Sequence, residues 1–154
     1  PVLAFNRDVP EWFCALPPPS CPYGQLMAGL VRFEDLKVWR RARALAVEIY
    51  RLTGAGPISR DFGLKDQLRR AVVSVMSNIA EGFEANSLGA FLRYLRIAKA
   101  SLAEVRCQLY VAKDVGSVES ARHVQLLGQV EELSRMLGGL IRSLDRRLKS
   151  ARHQ

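Results

Sequence analysis

Cationic side chains are the residues whose spacing in this sequence could do chemistry. Arg96, Lys99, Arg106, Tyr110 and Lys113 recur along one line of a helical stretch, with Arg93 beside it. Arg135, Arg142, Arg146, Arg147, Lys149 and Arg152 make a second basic run near the C-terminus. Arginine offers a planar fork of donors that matches two phosphate oxygens, whereas lysine offers a point charge. A tyrosine among them can stack on a nucleic-acid base. The chemistry implied is reversible phosphate binding, of RNA or DNA alike, because nothing in the pattern reads a base edge or a 2′-hydroxyl. The same spacing also suits a solvated face whose long side chains lie over the edge of a core. The scarcity of acidic residues at i,i+4 tilts the reading towards binding.

Other chemistry has little material. The histidines are His123 and His153, and the cysteines are Cys14, Cys21 and Cys107. A nucleophile–histidine pairing could draw on Cys107 and His123. Cys107, however, adjoins an apolar stripe in mid-helix, where cysteine behaves as a small buried hydrophobe. HExxH, a phosphate loop and GxGxxG are all absent. Glu81 and Glu104 could face the inside of a bundle, but a di-metal bundle also needs Glu-x-x-His pairs, and none occurs. The expectation is a protein that is not an enzyme and holds neither metal nor cofactor.

Charge and composition agree with a polyanion partner. Lysine and arginine number 23 against 15 acidic residues, for a net charge of +8. Residues 1–32 are balanced, Arg7 and Arg32 against Asp8 and Glu11, so the whole excess lies beyond them. Basic domains favour polyanions through counterion release. A chain of 154 residues with 49% hydrophobic and 25% charged residues is one ordinary globular domain. Three scattered cysteines make no disulfide framework and point to a reducing, cytoplasmic setting. The longest apolar run, from Ala71 to Ala80, is broken by Ser74, Ser77 and Asn78 and is too short for a membrane span. No signal-peptide pattern opens the chain.

These side chains must be positioned by helices. Six of the seven prolines fall in residues 1–30, and Pro17-Pro18-Pro19 cannot be helical, so residues 1–32 are expected to form a flexible arm. Two readings of residues 1–26 stand open. They are an arm whose Trp12, Phe13 and Leu16 dock on a partner, or the product of a gene start placed upstream of Met27. Four helices are expected over residues 33–150, followed by a tail at 151–154. The first, from about Phe33 to Thr53, carries Leu36, Trp39, Ala42, Ala46 and Ile49 on one face, with Lys37, Arg41, Glu48 and Arg51 on another. The second starts near Ser59 as N-cap and runs to about Glu81, with Gly82 as its stop. Ser87 caps the third, which runs to about Asp114 and carries the cleanest heptad, from Leu88 through Leu95, Leu102 and Leu109. The fourth spans about Val118 to Lys149 on a leucine stripe interrupted by Gly128, Gly138 and Gly139, which either admit a neighbour's backbone or are merely tolerated. Short connections make the economical arrangement an all-α, up-down-up-down, left-handed four-helix bundle.

The second helix carries more apolar surface than one core face accepts. Val72, Val73, Met76 and Phe83 widen its stripe, and Gln67, Arg70, Ser74, Asn78 and Glu81 form a polar line beside it. Surplus apolar surface marks an interface. The expected contact with a second copy is Val72, Val73, Met76, Asn78 and Glu81.

From Phe33 onward the sequence resembles a known family. The residues that carry the likeness are Phe33 to Trp39 (FEDLKVW), Gly63 to Ala71 (GLKDQLRRA), Ser77 to Gly82 (SNIAEG) and Ala98 to Glu104 (AKASLAE). They resemble the four-helix-bundle proteins encoded in rRNA intervening sequences, whose relatives include the accessory variability determinant of diversity-generating retroelements. The resemblance implies a basic bundle, a ring-like homopentamer and, in the retroelement branch, association with nucleic acid or a reverse transcriptase. The expected function is therefore a non-enzymatic, homopentameric nucleic-acid-binding or accessory module. The alternative is a structural oligomer that scaffolds an acidic protein partner.

Overall fold

The computed structural model describes residues 32–151, so the proposed arm up to Val31 and the tail from Arg152 lie outside the described residues. The chain forms four helices: α1 (Lys37–Thr53), α2 (Phe62–Glu84), α3 (Leu88–Asp114) and α4 (Ser120–Ala151). No strand occurs among the described residues.

Local chemistry sets each boundary. A 3-10 turn at Phe33–Asp35 precedes α1, and Leu36 between them is extended (φ −68°, ψ 121°). This interruption, absent from the expected helix start at Phe33, plants the Leu36 side chain in the core. The Phe33 ring meets Trp39 edge-on at 5.0 Å, which leaves Trp39 half-buried rather than central. After α1, Gly56 takes φ +70°, a conformation that glycine adopts without steric cost. Ser59 does not cap α2; it sits in a second 3-10 turn and donates to the Gly56 carbonyl at 2.7 Å. The cap is Asp61, whose Oδ1 accepts from the Leu64 amide at 3.0 Å. Ser87 caps α3 as expected, accepting from the Ala90 amide at 3.1 Å. Gly116 (φ +71°) turns the chain into α4, while the Ser117 and Val118 amides still donate to the Ala112 carbonyl. That bonding explains why α4 begins at Ser120 rather than Val118.

Cross-helix pairs show that sequence neighbours run antiparallel. Thr53 meets Arg69 between α1 and α2, and Ser74 meets Ser101 while Phe83 meets Phe91 between α2 and α3. Arg96 meets Asp145 and Arg106 meets Glu131 between α3 and α4. Arg41 meets Glu132 and Glu48 meets Arg122 between α1 and α4, which closes the ring. The architecture is an up-down-up-down four-helix bundle around one core. Leu95, Leu102, Val105, Val130, Leu137 and Leu144 are all buried in it, as the heptads require.

Two expectations for α2 are corrected. The helix does not stop at Gly82 but continues to Glu84, and Gly82 is buried where α2 presses on α3. Its apolar surplus is also smaller than the sequence suggests. Val72 is 0% exposed and Phe83 9%, because α2 packs against both α1 and α3 and so buries a wide arc. Ser74 and Asn78 are satisfied within the chain. The Asn78 amide donates to the Ser74 carbonyl at 2.8 Å and to its Oγ at 3.0 Å, and the Ser74 hydroxyl bonds Ser101 at 2.9 Å.

Candidate nucleic-acid interface

The basic line of α3 and the arginines of α4 meet along the seam between these helices. Repeats of three, four and seven residues keep Arg96, Lys99, Arg106, Tyr110 and Lys113 on the α4 side of α3. Two of these cations are already paired. Arg96 Nη2 donates to both carboxylate oxygens of Asp145, at 2.7 and 2.8 Å, and Arg106 Nη2 lies 3.5 Å from Glu131. Tyr110 and, after it, Glu131 raise the Arg106 guanidinium further above its ordinary range, so it stays charged. The acids missing at i,i+4 are thus supplied by the neighbouring helix.

Lys99 and Arg142 differ. A Cβ placed on Gly138 would lie 3.4 Å from Lys99 Nζ and 3.3 Å from Arg142 Nη1, so both cations converge on the space that this glycine leaves. Neither has an acidic partner among the described residues. Gly128 and Gly139 have no neighbour there, so of the three α4 glycines only Gly138 is closely approached, and by charged side-chain ends rather than backbone. Arg135 and Arg146 are exposed and share a helical stripe with Arg142. Lys113 is exposed in the last turn of α3, where a cation suits the negative end of the helix dipole. Arg93 is not part of the seam; its guanidinium lies over Tyr94 at 5.1 Å, beside α2.

Cys107 is not the small buried hydrophobe that its neighbours in sequence suggest. Cys107 is exposed, because it falls outside the Leu102–Val105–Leu109 stripe. His123 is 2% exposed, sits edge-on to Tyr110 at 5.2 Å, and its ring nitrogens have no hydrogen-bond partner among the described residues. Tyr110 is therefore partly committed to the bundle, with 41% of its surface free. No cluster of metal-ligating side chains occurs among the described residues, and no helix there is long and apolar enough to cross a membrane.

Two further surfaces flank α1. Against α2, Val47, Tyr50, Val73 and Met76 line a shallow apolar groove of about 540 Å³, and Val47 and Tyr50 remain 43% and 45% exposed. Of the expected interface residues only Val73 and Met76 line it. Val72 is internal, Asn78 is half-buried, and Glu81 is exposed farther along the helix. Against α4, Arg40, Arg41, Arg43 and Arg51 line a recess of about 670 Å³ with Gln125 and Gln129. The Arg122 guanidinium, with Arg51 beside it, holds the Glu48 carboxyl in that recess below the usual carboxylate range. The sequence presents part of this surface as the polar face of α1, but nothing in it reveals that α4 would supply two neutral amides opposite.

Comparison with known proteins assigns the fold to a family. A structure from Bacteroides thetaiotaomicron, titled as a protein with unknown function from the S23 ribosomal protein family, matches with a TM-score of 0.61 at 21% identity. The match covers 68% of this chain and 97% of that one, and at this identity it speaks for the fold alone. No curated protein matches the sequence. The family model described as 23S rRNA-intervening sequence protein matches residues 34–139, most of the bundle. The chain belongs to the 23S rRNA-intervening sequence protein family.

Proposed function

We propose that this protein is a non-enzymatic, self-associating cytoplasmic module that binds nucleic acid through phosphate contacts along the α3–α4 seam. The convergence of Lys99 and Arg142 over Gly138 carries the reading. Two like charges aimed at one point without a carboxylate repel each other, and an anion between them relieves that repulsion. The net charge of +8 and the neighbouring Arg135 and Arg146 extend the attraction beyond one phosphate. In an oligomer each copy repeats the seam, so later contacts become intramolecular and weak sites gain avidity.

A paired substitution tests the seam. Lys99→Glu with Arg142→Glu leaves no acid stranded, whereas reversing Arg96 or Arg106 would set glutamate against Asp145 or Glu131. At low salt the double variant is expected to bind labelled RNA and DNA at least about tenfold more weakly, a change of about 1.4 kcal/mol. Helicity and particle size should stay as in wild type. Affinity equal to wild type would remove the seam from the binding surface.

Self-association uses the α1–α2 groove, where exposed Val47, Tyr50 and Val73 adjoin the half-buried Met76. The number five comes from the family resemblance, as does a reverse-transcriptase partner, for which an adjacent reverse-transcriptase gene is the test. Light scattering at micromolar concentration should read a multimer for wild type and a smaller particle for Val73→Asp. A wild-type monomer would contradict the proposal.

A further inference from the structure

The recess between α1 and α4 has a chemistry of its own. Its lining includes Arg40, Arg41, Arg43 and Arg51 on α1 and Gln125 and Gln129 on α4. Two carboxylates reach this flank, and both are engaged. Glu132 pairs with Arg41, while Glu48 bridges Arg51 at 2.8 Å and Arg122 at 2.5 Å. That leaves Arg40 and Arg43 without an acidic partner among the described residues.

Neutral groups nevertheless hold both side chains. Arg40 Nη2 donates to the Asp35 backbone carbonyl at 2.8 Å, and the Arg43 guanidinium lies 6.0 Å from the centre of the Trp39 ring. A carbonyl and a ring face orient a guanidinium without cancelling its charge. Four arginines and one carboxylate, Glu48, line the recess, so its net charge is positive, and a concave positive surface concentrates the field at its mouth. The remaining lining supplies apolar surface from Ala44 and Val47 and neutral hydrogen-bonding groups from the glutamines.

We infer that this recess is a second phosphate track, and that it takes the phosphodiester chain of a nucleic acid. The inference rests on the nucleic-acid reading of the seam, and places a separate contact on the opposite flank of α4. Extent argues for a polymer over a lone anion. At the far end Arg51 and Arg122 share the single carboxylate of Glu48, so one positive charge stays uncancelled there, and from Arg40 to Arg51 the helix advances roughly 16 Å at 1.5 Å per residue. One phosphate cannot reach both ends, whereas a nucleic-acid strand presents a phosphate about every 3.4 Å of duplex rise. An acidic peptide also carries repeated charge, and the test separates it.

The experiment titrates a labelled single-stranded RNA against wild type, Arg40→Gln/Arg43→Gln and Lys99→Glu/Arg142→Glu, from low to physiological salt. Both arginines are exposed, and Arg43 also lines the α1–α2 groove. Circular dichroism and light scattering are therefore read alongside, and Arg40→Gln alone, outside that groove, separates a lost phosphate contact from lost association. The recess variant should bind at least about fivefold more weakly at low salt. Its slope of log affinity against log salt should fall by about 1.4 for two lost phosphate contacts at ~0.7 each. A recess variant that matches wild type in affinity and slope, while the seam variant loses binding, overturns the second track and leaves the seam reading intact. Wild type that binds no RNA at low salt overturns both. Polyglutamate that displaces RNA as effectively as unlabelled RNA does at equal charge overturns the nucleic-acid assignment of the recess.

Discussion

Replacing Leu102 by alanine is expected to destabilise the bundle by about 2–5 kcal/mol, the range for a leucine cut back inside a packed core. Leu102 is 1% exposed midway along α3, the helix that packs most extensively on α2 and also on α4. Its neighbours on the same face, Ala98 and Ser101, are small, so they have little side chain to move into the space. A residual cavity raises the cost further. Leu148, half-buried near the end of α4, should cost much less on the same change. Urea unfolding at one protein concentration reads the difference, because association would otherwise shift the midpoint. A Leu102→Ala loss under about 0.5 kcal/mol, the scatter of surface substitutions, would contradict the heptad assignment.

Gly82→Ala should destabilise by about 1–3 kcal/mol, although alanine is the better helix former by ~1 kcal/mol. The added Cβ would stand 2.6 Å from Tyr94 Cβ and 3.0 Å from Phe91 Cδ2. A Cβ cannot rotate out of the way, so α2 and α3 would have to separate. Gly128 and Gly139 provide the contrast. Nothing lies within 4 Å of a Cβ at either, and alanine there should stabilise by up to about 1 kcal/mol. Thermal or urea unfolding of the three variants checks the sign. If Gly82→Ala stabilised as Gly128→Ala does, the close approach of α2 to α3 would be wrong.

The contrast among these glycines shows what the sequence could and could not reveal. A glycine near the end of a periodic stretch reads as a stop, and Gly82 looked like one. Its actual use depends on Phe91 and Tyr94, residues of another helix, which local pattern does not bring together. The heptads were legible because burial of Leu95, Leu102 and Leu109 follows from spacing within one helix. The width of the α2 stripe was visible too, but assigning Val72 to an outside contact failed. A helix flanked by two neighbours buries a broader arc than one apolar face.

The same limit governs charge. Spacing correctly set Arg96, Lys99 and Arg106 on one line, yet their differing partners arise across the seam. Asp145 and Glu131 neutralise two of the three, and Gly138 gathers Lys99 with Arg142. On α1, Arg41 and Arg51 are visible as a polar face, while the neutral partners of Arg40 and Arg43, the Asp35 carbonyl and the Trp39 ring, are set by the folded geometry. Charged residues were therefore locatable from sequence, and the ones left uncompensated were not.

The most direct test is the salt dependence of binding by the wild-type protein to two RNAs of unrelated sequence. Phosphate contacts at the seam and the recess predict the same affinity for both RNAs and a slope of log affinity against log salt steeper than about −2, since each contact contributes ~0.7–0.9. Binding that is absent at low salt, indifferent to salt, or confined to one of the two sequences would contradict the account.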